Sequence, residues 1–567
     1  MSSSSFKYRE FFNGDTVMVI VPHEDDEINV AGATIYGAIK EGLKVILVYV
    51  TNGDFQYKAD IRYKEVQRMA CIMNLPMENI HFLGFPDNSG KDLLANRDAV
   101  FRNHAGFSKT HGAYGITDYP TKYMGGPLSY TYNNLVLAIT DIIGRFKPCT
   151  VIAIDMDIHV DHQLTSIAVE EAIGKVVKEN NNYRPKVLKS FAYDTDFESI
   201  NDYYAMHLQS TVQNRAWIVD DFLSTNNPML IWEDRLRIPV PDDCRSISLL
   251  GNPMFRTLGV HMSQSSYKHA PKLINGDQVF WQRRTDNVVL RAKVTVTSGN
   301  SNKINDFLRY DICDIAEKIA NPEDYAWIPD DTDQESTVTI HFDEPTEIKY
   351  INWFENVWLK NDVKQAVQGT TIKTSTGLEI NIPTYYYPYF EECPYIKKYT
   401  FEKPITIDWI SFTIKKPKGV KAGISEIEIY PPSNQSPTYF HILCNEQFAY
   451  DWIVYPGESL PSISVYGDSV IDNKDFTFFV DGKSMDYKLM IETLPTLIKN
   501  KSVTIRYGNY QMYHEIVLKQ GNQWDYIIRK CINIYNKISY VLNKSKYRIG
   551  FNLAQKYRYK GFYNDRK

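Results

Sequence analysis

Apolar residues follow two different periods along residues 1–180 of the chain. Short continuous apolar runs have the length of buried strands, and apolar residues that recur every three or four positions predict helices. Alternation of the two is typical of an α/β domain with a largely parallel sheet. The predicted strands cover 16–21, 44–50, 80–83 and 150–154, and the predicted helices cover 28–41, 61–75, 130–146 and 164–178.

The pattern changes after residue 275, where strand-length apolar runs separated by Asp, Asn, Gly and Pro replace the helical spacing. Such runs predict an antiparallel β-sandwich over 276–431. A linker rich in Pro, Ser and Asn follows at 431–437, and the turn signal Asp481-Gly482 contributes to the prediction of a small Ig-like β domain over 438–520. The predicted strands are 289–296, 336–342, 348–354, 369–382, 405–414, 424–430, 462–466, 476–480 and 503–507.

The last segment, 521–567, is predicted to be a basic helical tail. Residues 527–567 contain eleven Lys and Arg against one acidic residue, Asp565. One interpretation is that the helix lies on an anionic membrane. The other is that it packs its apolar face on the preceding β domain and leaves a basic face in solvent. The apolar face consists of Ile527, Cys531, Ile534, Ile538 and Val541.

Composition indicates an ordinary globular protein of about three domains. The chain has 567 residues, of which 43% are hydrophobic and 23% charged. The net charge of -5 argues against general nucleic-acid binding, for which a basic chain is typical. Seven singly scattered cysteines indicate a reducing compartment. Since neither an apolar leader nor a membrane-spanning stretch is visible, we expect a cytoplasmic protein in which only the tail is a candidate for peripheral membrane contact.

Two clusters of His and acidic residues follow predicted strands. One is the run 22–27 (Pro-His-Glu-Asp-Asp-Glu), and the other is the run 157–162 (Asp-Ile-His-Val-Asp-His). Functional groups of a parallel sheet collect outside the carboxyl ends of its strands. Zinc in a hydrolytic site takes three His or carboxylate ligands and keeps a position for water. The clusters therefore predict a metal site, although acidic residues at the start of a helix also stabilise its positive end.

These two runs resemble the Pro/Ala-His-Pro-Asp-Asp-Glu and His-x-Asp-His signatures of the PIG-L/LmbE-type N-acetylglucosaminyl de-N-acetylases. Glu24 stands where that family usually has Pro. The resemblance covers roughly the first 270 residues and implies an α/β Rossmann-like (LmbE-type) catalytic domain over 1–275. Supporting positions in family order are 51–54 (Thr-Asn-Gly-Asp), Arg62 and Glu65, and 83–87 (Leu-Gly-Phe-Pro-Asp).

The resemblance also implies a metal site and a base. His23, Asp26 and His162 would bind Zn²⁺ or another divalent metal. Asp25 would be the general base that activates the metal-bound water for attack on an amide carbonyl. The implied substrate is an N-acetylhexosamine (GlcNAc-type) unit of a glycan, a glycoconjugate or a lipid-linked sugar.

Two further roles are carried over in the same way. His159 would stabilise the oxyanion or protonate the leaving amine, and Asp161 would orient and charge-stabilise His159. Arg62 and Glu65 are candidates for supporting or substrate contacts, although an i, i+3 pair on a helix is usually a surface ion pair. The long segment 86–130 is expected to form a wall on the substrate side, since loops of such length are commonly lids or binding loops.

The predicted sandwich leaves its role open. Its segment 423–430 resembles the last strand of galactose-binding-like (discoidin-type) domains, with Trp353, Trp358 and tyrosines 385–387 as candidate sugar platforms. These aromatics are otherwise core residues of a domain that docks on the catalytic one. A second hypothesis for the whole chain is a non-catalytic glycan-binding or scaffold protein with a relic deacetylase domain. Asp25 distinguishes the two, because a relic has no need of a base.

Overall fold

The computed structural model shows an α/β domain, a β-sandwich, a smaller β domain and a long C-terminal helix in chain order. The described residues are 6–157, 159–180, 182–192, 197–198, 206–213, 234–269, 273–309, 321–333, 335–356, 358–360, 363–365, 367–383, 396–433, 437–469, 473–494, 500–507 and 512–556.

The scaffold of the α/β domain is a sheet to which the described residues contribute seven strands. Its strands are β1 (Thr16–Val21), β2 (Lys44–Thr51), β3 (Ile80–Phe85), β4 (Thr150–Ile154), β5 (Lys186–Ser190), β8 (Leu236–Pro239) and β9 (Asp277–Arg283); β6 (Phe197–Glu198) and β7 (Val212–Gln213) form a separate pair. The order is β3-β2-β1-β4-β5-β9-β8, and the first five strands are parallel. The predicted α/β domain with a largely parallel sheet is confirmed.

Both faces of this sheet are buried, which explains the continuous apolar runs in the sequence. Val17, Val19 and Val21 of β1 point into one core, and Met18 and Ile20 point into the other. Such strands need helices on both faces. The helices of the domain are α1 (Tyr8–Phe11), α2 (Asp26–Lys40), α3 (Ala59–Met73), α4 (Gly90–Ala95), α5 (Tyr119–Tyr123), α6 (Tyr132–Phe146), α7 (Val160–Glu179) and α8 (Pro253–Leu258).

The second domain is built mainly of antiparallel strands. β11 pairs with β10, β16 and β17, and it contains a register shift between His341 and Thr346. The two predicted strands 336–342 and 348–354 are therefore one strand, because the irregularity bends the chain without ending its pairing. The strands are β10 (Lys293–Val296), β11 (Glu335–Asn356), β12 (Trp358–Lys360), β13 (Val363–Gln365), β14 (Gly369–Thr374), β15 (Glu379–Pro383), β16 (Ile396–Lys415) and β17 (Gly423–Tyr430).

The aromatic sugar platforms proposed for this domain have different outcomes. Trp353 is fully buried in the core of the domain, so its ring is not an exposed platform, and that prediction is wrong. The side chain of Trp353 points to the packed face of the sheet. The apolar run in the sequence does not reveal which face this is. Tyrosines 385–387 lie outside the described residues, and Trp358 lies in β12.

The third domain carries the predicted hairpin. Asp481 and Gly482 have φ values of 49° and 75° and join two antiparallel strands, as a two-residue turn with left-handed conformations requires. The elements are β18 (Phe440–Cys444), β19 (Gln447–Phe448), β20 (Trp452–Val454), β21 (Ile463–Gly467), β22 (Phe476–Val480), β23 (Lys483–Met485), α9 (Tyr487–Thr493), β24 (Lys501–Tyr507) and β25 (Met512–Gln520).

The tail forms one long helix, α10 (Gln523–Lys556), which packs on the α/β domain. Asn536 is fully buried there; its side-chain amide donates to Ile247 O at 2.6 Å and accepts from the Leu249 N–H at 3.4 Å. The predicted apolar face is instead exposed, with Ile534 57% and Ile538 53% accessible. The prediction that this face packs on the β domain is therefore wrong, since polar side chains on the other face make the contact. Among the described helices, none combines the length and the apolar character needed to cross a membrane.

Buried charges join the α/β domain to the sandwich. Arg283 of β9 pairs with Glu428 of β17, and its Nε lies 3.7 Å from Glu170 Oε2 of α7. Arg309 Nε donates to the same Glu170 oxygen at 3.1 Å. All four side chains are nearly inaccessible. The sheet of the first domain thus extends to Arg283, beyond residue 275 where the sequence places the boundary.

Candidate active site

The site lies where β1 and β4 end, side by side, at the carboxyl edge of the sheet. The two strands are parallel neighbours, with Ile20 opposite Ala153. The turn after β1 leads into α2, which begins at Asp26, and the turn after β4 leads into α7, which begins at Val160. The two sequence clusters are therefore brought together by the sheet, although 138 positions separate His23 from Asp161.

Asp26 lies between the two histidines that the sequence pairs with it. Its Oδ2 is 3.0 Å from His23 Nδ1 and 3.3 Å from His162 Nε2. All three side chains are buried. One candidate ligand atom from each of His23, His159 and His162 also lies within 4.8 Å of the others, and the same holds for His23, Asp87 and Asp161. The site thus contains a His/Asp group that can hold a metal ion.

The chemistry of His23, Asp26 and His162 fits a divalent metal. Two imidazoles and a carboxylate are a donor set that zinc takes in hydrolytic sites. Asp26 Oδ1 is buried and, among the described residues, lacks a hydrogen-bond partner. Burial would raise the pKa of Asp26, but the charge of His162 and hydrogen bonds with His162 and His23 lower it well below its usual value, so the carboxylate is ionised as a ligand must be.

Carboxylates also surround the two imidazoles. Burial would lower the pKa of His162, but the charges of Asp157 and Asp26 raise it to about 9. Burial would lower the pKa of His23 too. The charge of Asp87 and the hydrogen bonds with Asp161 and Asp26 outweigh burial and raise this pKa well above its usual value. A field that holds protons on imidazoles in this way would equally stabilise a metal cation, which would displace those protons.

Asp157 fixes the orientation of His162. Its Oδ2 lies 2.7 Å from His162 Nδ1, and its Oδ1 accepts the backbone N–H of His159 at 2.9 Å. A carboxylate on one ring nitrogen directs the other nitrogen toward a metal, the usual arrangement around ligating histidines. Asp157 belongs to the sequence cluster but has no role in the sequence interpretation.

His159 is a neutral imidazole beside the group. Its ring centroid is 4.8 Å from that of His23, and burial, with the charges of His23 and His162, lowers its pKa to about 4. Its Nδ1 accepts the backbone N–H of Asp161 at 3.2 Å, which assigns the proton to Nε2. A neutral ring with a donor at Nε2 is suited to hydrogen-bond an oxygen that gains negative charge.

The carboxylate of Asp161 contacts His23 and a helix start. Its Oδ2 is 3.0 Å from His23 Nε2 and accepts the Asn88 N–H at 2.6 Å. Its Oδ1 accepts the N–H groups of Ser89 at 3.0 Å and Gly90 at 2.7 Å, where α4 begins. The hydrogen bond from Asp161 to the ring of His159 comes from its backbone, so the carboxylate directly orients His23 and the loop after β3.

Asp25 is buried and is contacted from a distant part of the chain. Its Oδ2 accepts the hydroxyl of Ser266, and its Oδ1 has no hydrogen-bond partner among the described residues. The neighbouring Gln264 side chain donates to the backbone oxygen of Glu24. Residues 261–266, which we call the base loop, therefore hold the segment that contains Asp25.

Two buried glutamates fix the base loop. Glu65 Oε1 accepts the Ser263 N–H at 2.8 Å, and its Oε2 accepts the Ser263 hydroxyl at 2.6 Å. Glu27 Oε1 lies 3.0 Å from His261 Nε2. Burial would lower the pKa of His261, but the charge of Glu27 raises this pKa to about 9. Glu65 is thus a supporting residue, whereas the sequence offers only the polar run 261–266 as a signal for the loop.

Arg62 and Glu24 form a buried pair on the other side of His23. Arg62 Nη1 is 2.9 Å from Asp87 Oδ2 and 3.4 Å from Glu24 Oε2. Burial raises the pKa of Glu24 to about 8, partly offset by the charge of Arg62. Gly53 (φ 60°) allows the pair to approach, because a Cβ there would lie 2.5 Å from Arg62 Cδ and from Glu24 Oε2. Glu24 thus occupies the family's Pro position as a buried hydrogen-bond acceptor for Arg62.

The segment after Pro86 packs against this side of the site. The Asn103 side chain donates to Asp54, which accepts the Asp87 N–H at 3.1 Å. The Asn52 amide nitrogen lies 3.0 Å from His111 Nε2. Asp87 belongs to the motif that the sequence quotes for the family, but its proximity to His23, at 3.3 Å, is visible only in the fold.

These features define a class of protein, an α/β domain with a His/carboxylate metal-type site at the carboxyl edge of its sheet. Within this class, the family model described as PIG-L, GlcNAc-PI de-N-acetylase, matches residues 18–173. Both sequence clusters lie inside the match. Residues 18–173 are therefore a PIG-L family domain within a longer chain.

Several solved structures are similar to this chain. N,N'-diacetylchitobiose deacetylase from Pyrococcus horikoshii is 16% identical over 49% of this chain and 86% of its own, with a TM-score of 0.29. A conserved protein from Thermus thermophilus is 20% identical over 32% and 71%, with a TM-score of 0.22. The galactose-bound family 32 module of NanJ from C. perfringens is 15% identical over 24% and 92%, with a TM-score of 0.17. No curated protein matches the chain.

Proposed function

We propose that the protein is a metal-dependent hydrolase that removes the N-acetyl group from an N-acetylhexosamine (GlcNAc-type) unit of a glycan, glycoconjugate or lipid-linked sugar. The observation that carries this proposal is the buried group of His23, Asp26 and His162 beside Asp25 within the PIG-L domain. The three residues would hold Zn²⁺ or another divalent metal. When bound, such a metal supplies a Lewis acid that polarises a carbonyl and makes water a stronger nucleophile.

Asp25 is the proposed general base. It takes a proton from the attacking water as the water oxygen bonds to the amide carbon, and the Ser266 hydroxyl holds its carboxylate in place. His159, neutral and protonated at Nε2, donates a hydrogen bond to the oxygen that becomes negative. The carbon–nitrogen bond then breaks, the proton taken from water goes to the amine nitrogen, and acetate and the free amine leave.

The substrate is proposed to bind against Arg62, Asp87 and the segment 86–130. Buried charges at that wall can pair with sugar hydroxyl groups, which donate and accept hydrogen bonds. The net charge of -5 argues against a nucleic-acid partner. We further propose that the enzyme works in the cytoplasm, on the basis of its scattered cysteines.

A glycan-binding relic is the alternative. A relic needs neither Asp25 nor a loop that contacts it, whereas this chain keeps Asp25 and fixes the base loop through two glutamates. This support for a working base favours the enzymatic proposal.

The test compares Asp25→Asn with His162→Ala in purified full-length protein. We expect Asp25→Asn to retain its metal, measured by elemental analysis, while acetate release from N-acetylglucosamine derivatives falls by about 10² to 10⁴-fold. His162→Ala should lose both. Asp92→Asn, at an exposed position in α4, is the matched control and should retain both. Full activity of Asp25→Asn, or a wild-type protein that neither binds nor responds to any divalent metal, would refute the proposal.

A further inference from the structure

The C-terminal helix α10 exposes an apolar stripe, which we call the tail stripe and which Ser545 and Lys546 interrupt before its last member. Six of its apolar members each have more than half of their surface accessible to solvent. At 100° per residue these positions fall within an arc of roughly 120° along about 38 Å of helix. The six are Trp524, Ile528, Ile534, Ile538, Leu542 and Ile549.

The opposite side of the helix is already occupied by the α/β domain. Asn536 makes its two hydrogen bonds there, and Asn533 and Ser539 are buried beside it. Further along, the ring of Tyr547 lies 4.9 Å from that of Tyr267. These contacts hold the helix in one orientation, so the tail stripe points away from the body of its own chain. A patch of this kind on a folded protein marks an interaction surface.

The width of the stripe favours a broad surface over a second helix. Besides these six members, Val541 is 60% accessible and widens the stripe on one side, and Ile527, 45% accessible, lies within it. The seam of a two-helix coiled coil uses two of every seven positions. A stripe that uses three of every seven positions is suited to a wider apolar medium. The large side chains at its start and middle, Trp524 and Tyr535, are of the kind that accumulates at the boundary between lipid and water.

Charge identifies the chemistry of that surface. Lys530, Lys537 and Lys544 recur every seven residues and form an exposed column along one border of the stripe. After Asp525 the helix contains no acidic residue through Lys556. Two copies of the helix would therefore bring like charges together without compensation, while an anionic lipid surface supplies the opposite charge to the whole column.

We propose that the tail stripe is an in-plane anchor that inserts into the headgroup region of an anionic membrane. The apolar side chains enter the acyl boundary, and the lysine column stays level with the phosphate groups. The helix also packs on 3-10 turns at Met262–Gln264 and Ser266–His269, which contain much of the base loop. The anchor would thus hold the catalytic site near lipid-linked sugars, a consequence that rests on the proposed function; membrane binding itself does not.

The test measures flotation of the full-length protein with vesicles of phosphatidylcholine alone or mixed with phosphatidylglycerol. We expect binding to the mixed vesicles that weakens with added salt. Ile534→Glu with Ile538→Glu should lower the bound fraction at least roughly tenfold, because two charges enter the stripe. The matched control is Leu137→Glu with Leu489→Glu, which adds the same charge at exposed leucines outside α10 and should bind as the wild type does.

Three results would overturn the proposal. The first is a wild-type protein that does not float with anionic vesicles at low salt. The second is equal binding by the Ile534→Glu/Ile538→Glu variant and the wild type, with unchanged circular dichroism. The third is a wild-type dimer, seen by light scattering, that the same variant converts to monomers, since a second copy would then cover the stripe. Because no outcome depends on acetate release, failure of this proposal is distinguishable from failure of the proposed function.

Discussion

Replacing Ser266 by Ala tests whether the base loop positions Asp25. The substitution removes only the hydroxyl that Asp25 Oδ2 accepts. Ser266 is fully buried and Asp25 is 2% accessible, so bulk water does not substitute freely for the lost donor. The backbone of the loop stays fixed by Glu27, which contacts the ring of His261, and by Glu65, which accepts the Ser263 N–H.

The expected magnitude follows from the charge of the acceptor. A hydrogen bond to a charged group contributes about 1.5–3 kcal/mol, and each 1.4 kcal/mol in the barrier is about a tenfold change in rate. We therefore expect kcat for acetate release to fall roughly 10- to 150-fold. KM should change little, because Ser266 contacts the base and not the proposed sugar wall at Arg62 and Asp87.

The assay is steady-state acetate release by metal-loaded enzyme, with metal content measured in parallel. Ser263→Ala is the matched control, since it removes a hydroxyl from the same loop while the Ser263 N–H still donates to Glu65 at 2.8 Å. Ser266→Thr restores a hydroxyl and should recover much of kcat. An unchanged kcat in Ser266→Ala, or an equal loss in Ser263→Ala, would refute a positioning role for Ser266.

Two further predictions concern stability. Arg97 Nη2 lies 2.6 Å from Glu171 Oε1. Burial would raise the pKa of Glu171, but the charge of Arg97 holds this pKa at about 2. This pairing stabilises the fold fully at pH values above 4.5, the ordinary pKa of a glutamate, and the stabilisation is lost as the pH falls through 2. Arg97→Gln should therefore lower the unfolding free energy by about 3 kcal/mol at neutral pH and by less near pH 2. Urea denaturation at the two pH values measures the difference. Asn536→Ala leaves the Ile247 carbonyl without its 2.6 Å donor, at a cost of about 1–3 kcal/mol, and faster hydrogen exchange in α10 alone would reveal it, whereas unchanged protection would contradict it.

The sequence predicts the first four strands of the parallel sheet well because their signal is local. These strands are mainly apolar runs, and the predicted span 150–154 matches β4 from end to end. The strands β5, β8 and β9 carry charged residues among their apolar ones and are not predicted. The pairing of β1 with β4 places the turns after Val21 and Ile154 together, as expected for functional groups at the carboxyl ends of parallel strands. The choice of His23, Asp26 and His162 as ligands comes from the family resemblance.

Contacts between distant segments could not be predicted in this way. Ser266 reaches Asp25 across 241 positions, and Asp161 reaches the backbone at Asn88 across 73, with no periodic pattern to indicate either pair. The family resemblance implies that the Asp161 carboxylate orients His159. In the fold, that carboxylate hydrogen-bonds His23 and the start of α4, and it acts on His159 through its charge.

The tail shows a different limit. Helical spacing identifies its apolar face, but the choice of buried face depends on the surface it meets. Turns near Ile247 and Leu249 offer backbone groups that need partners, and Asn536 satisfies them. The polar side is therefore buried, a reversal that amphipathicity alone does not reveal.

The ionic cluster of Glu170, Arg283 and Glu428 determines how far the chain can be divided. A fragment that stops at residue 275 would lack β9, leave β5 with an open edge, and leave Glu170 buried without Arg283. Glu170 belongs to α7, the helix that also carries His162. The sandwich is thus part of the smallest unit expected to fold around the site, and any sugar that it meets would be held at one fixed orientation to the proposed catalytic residues.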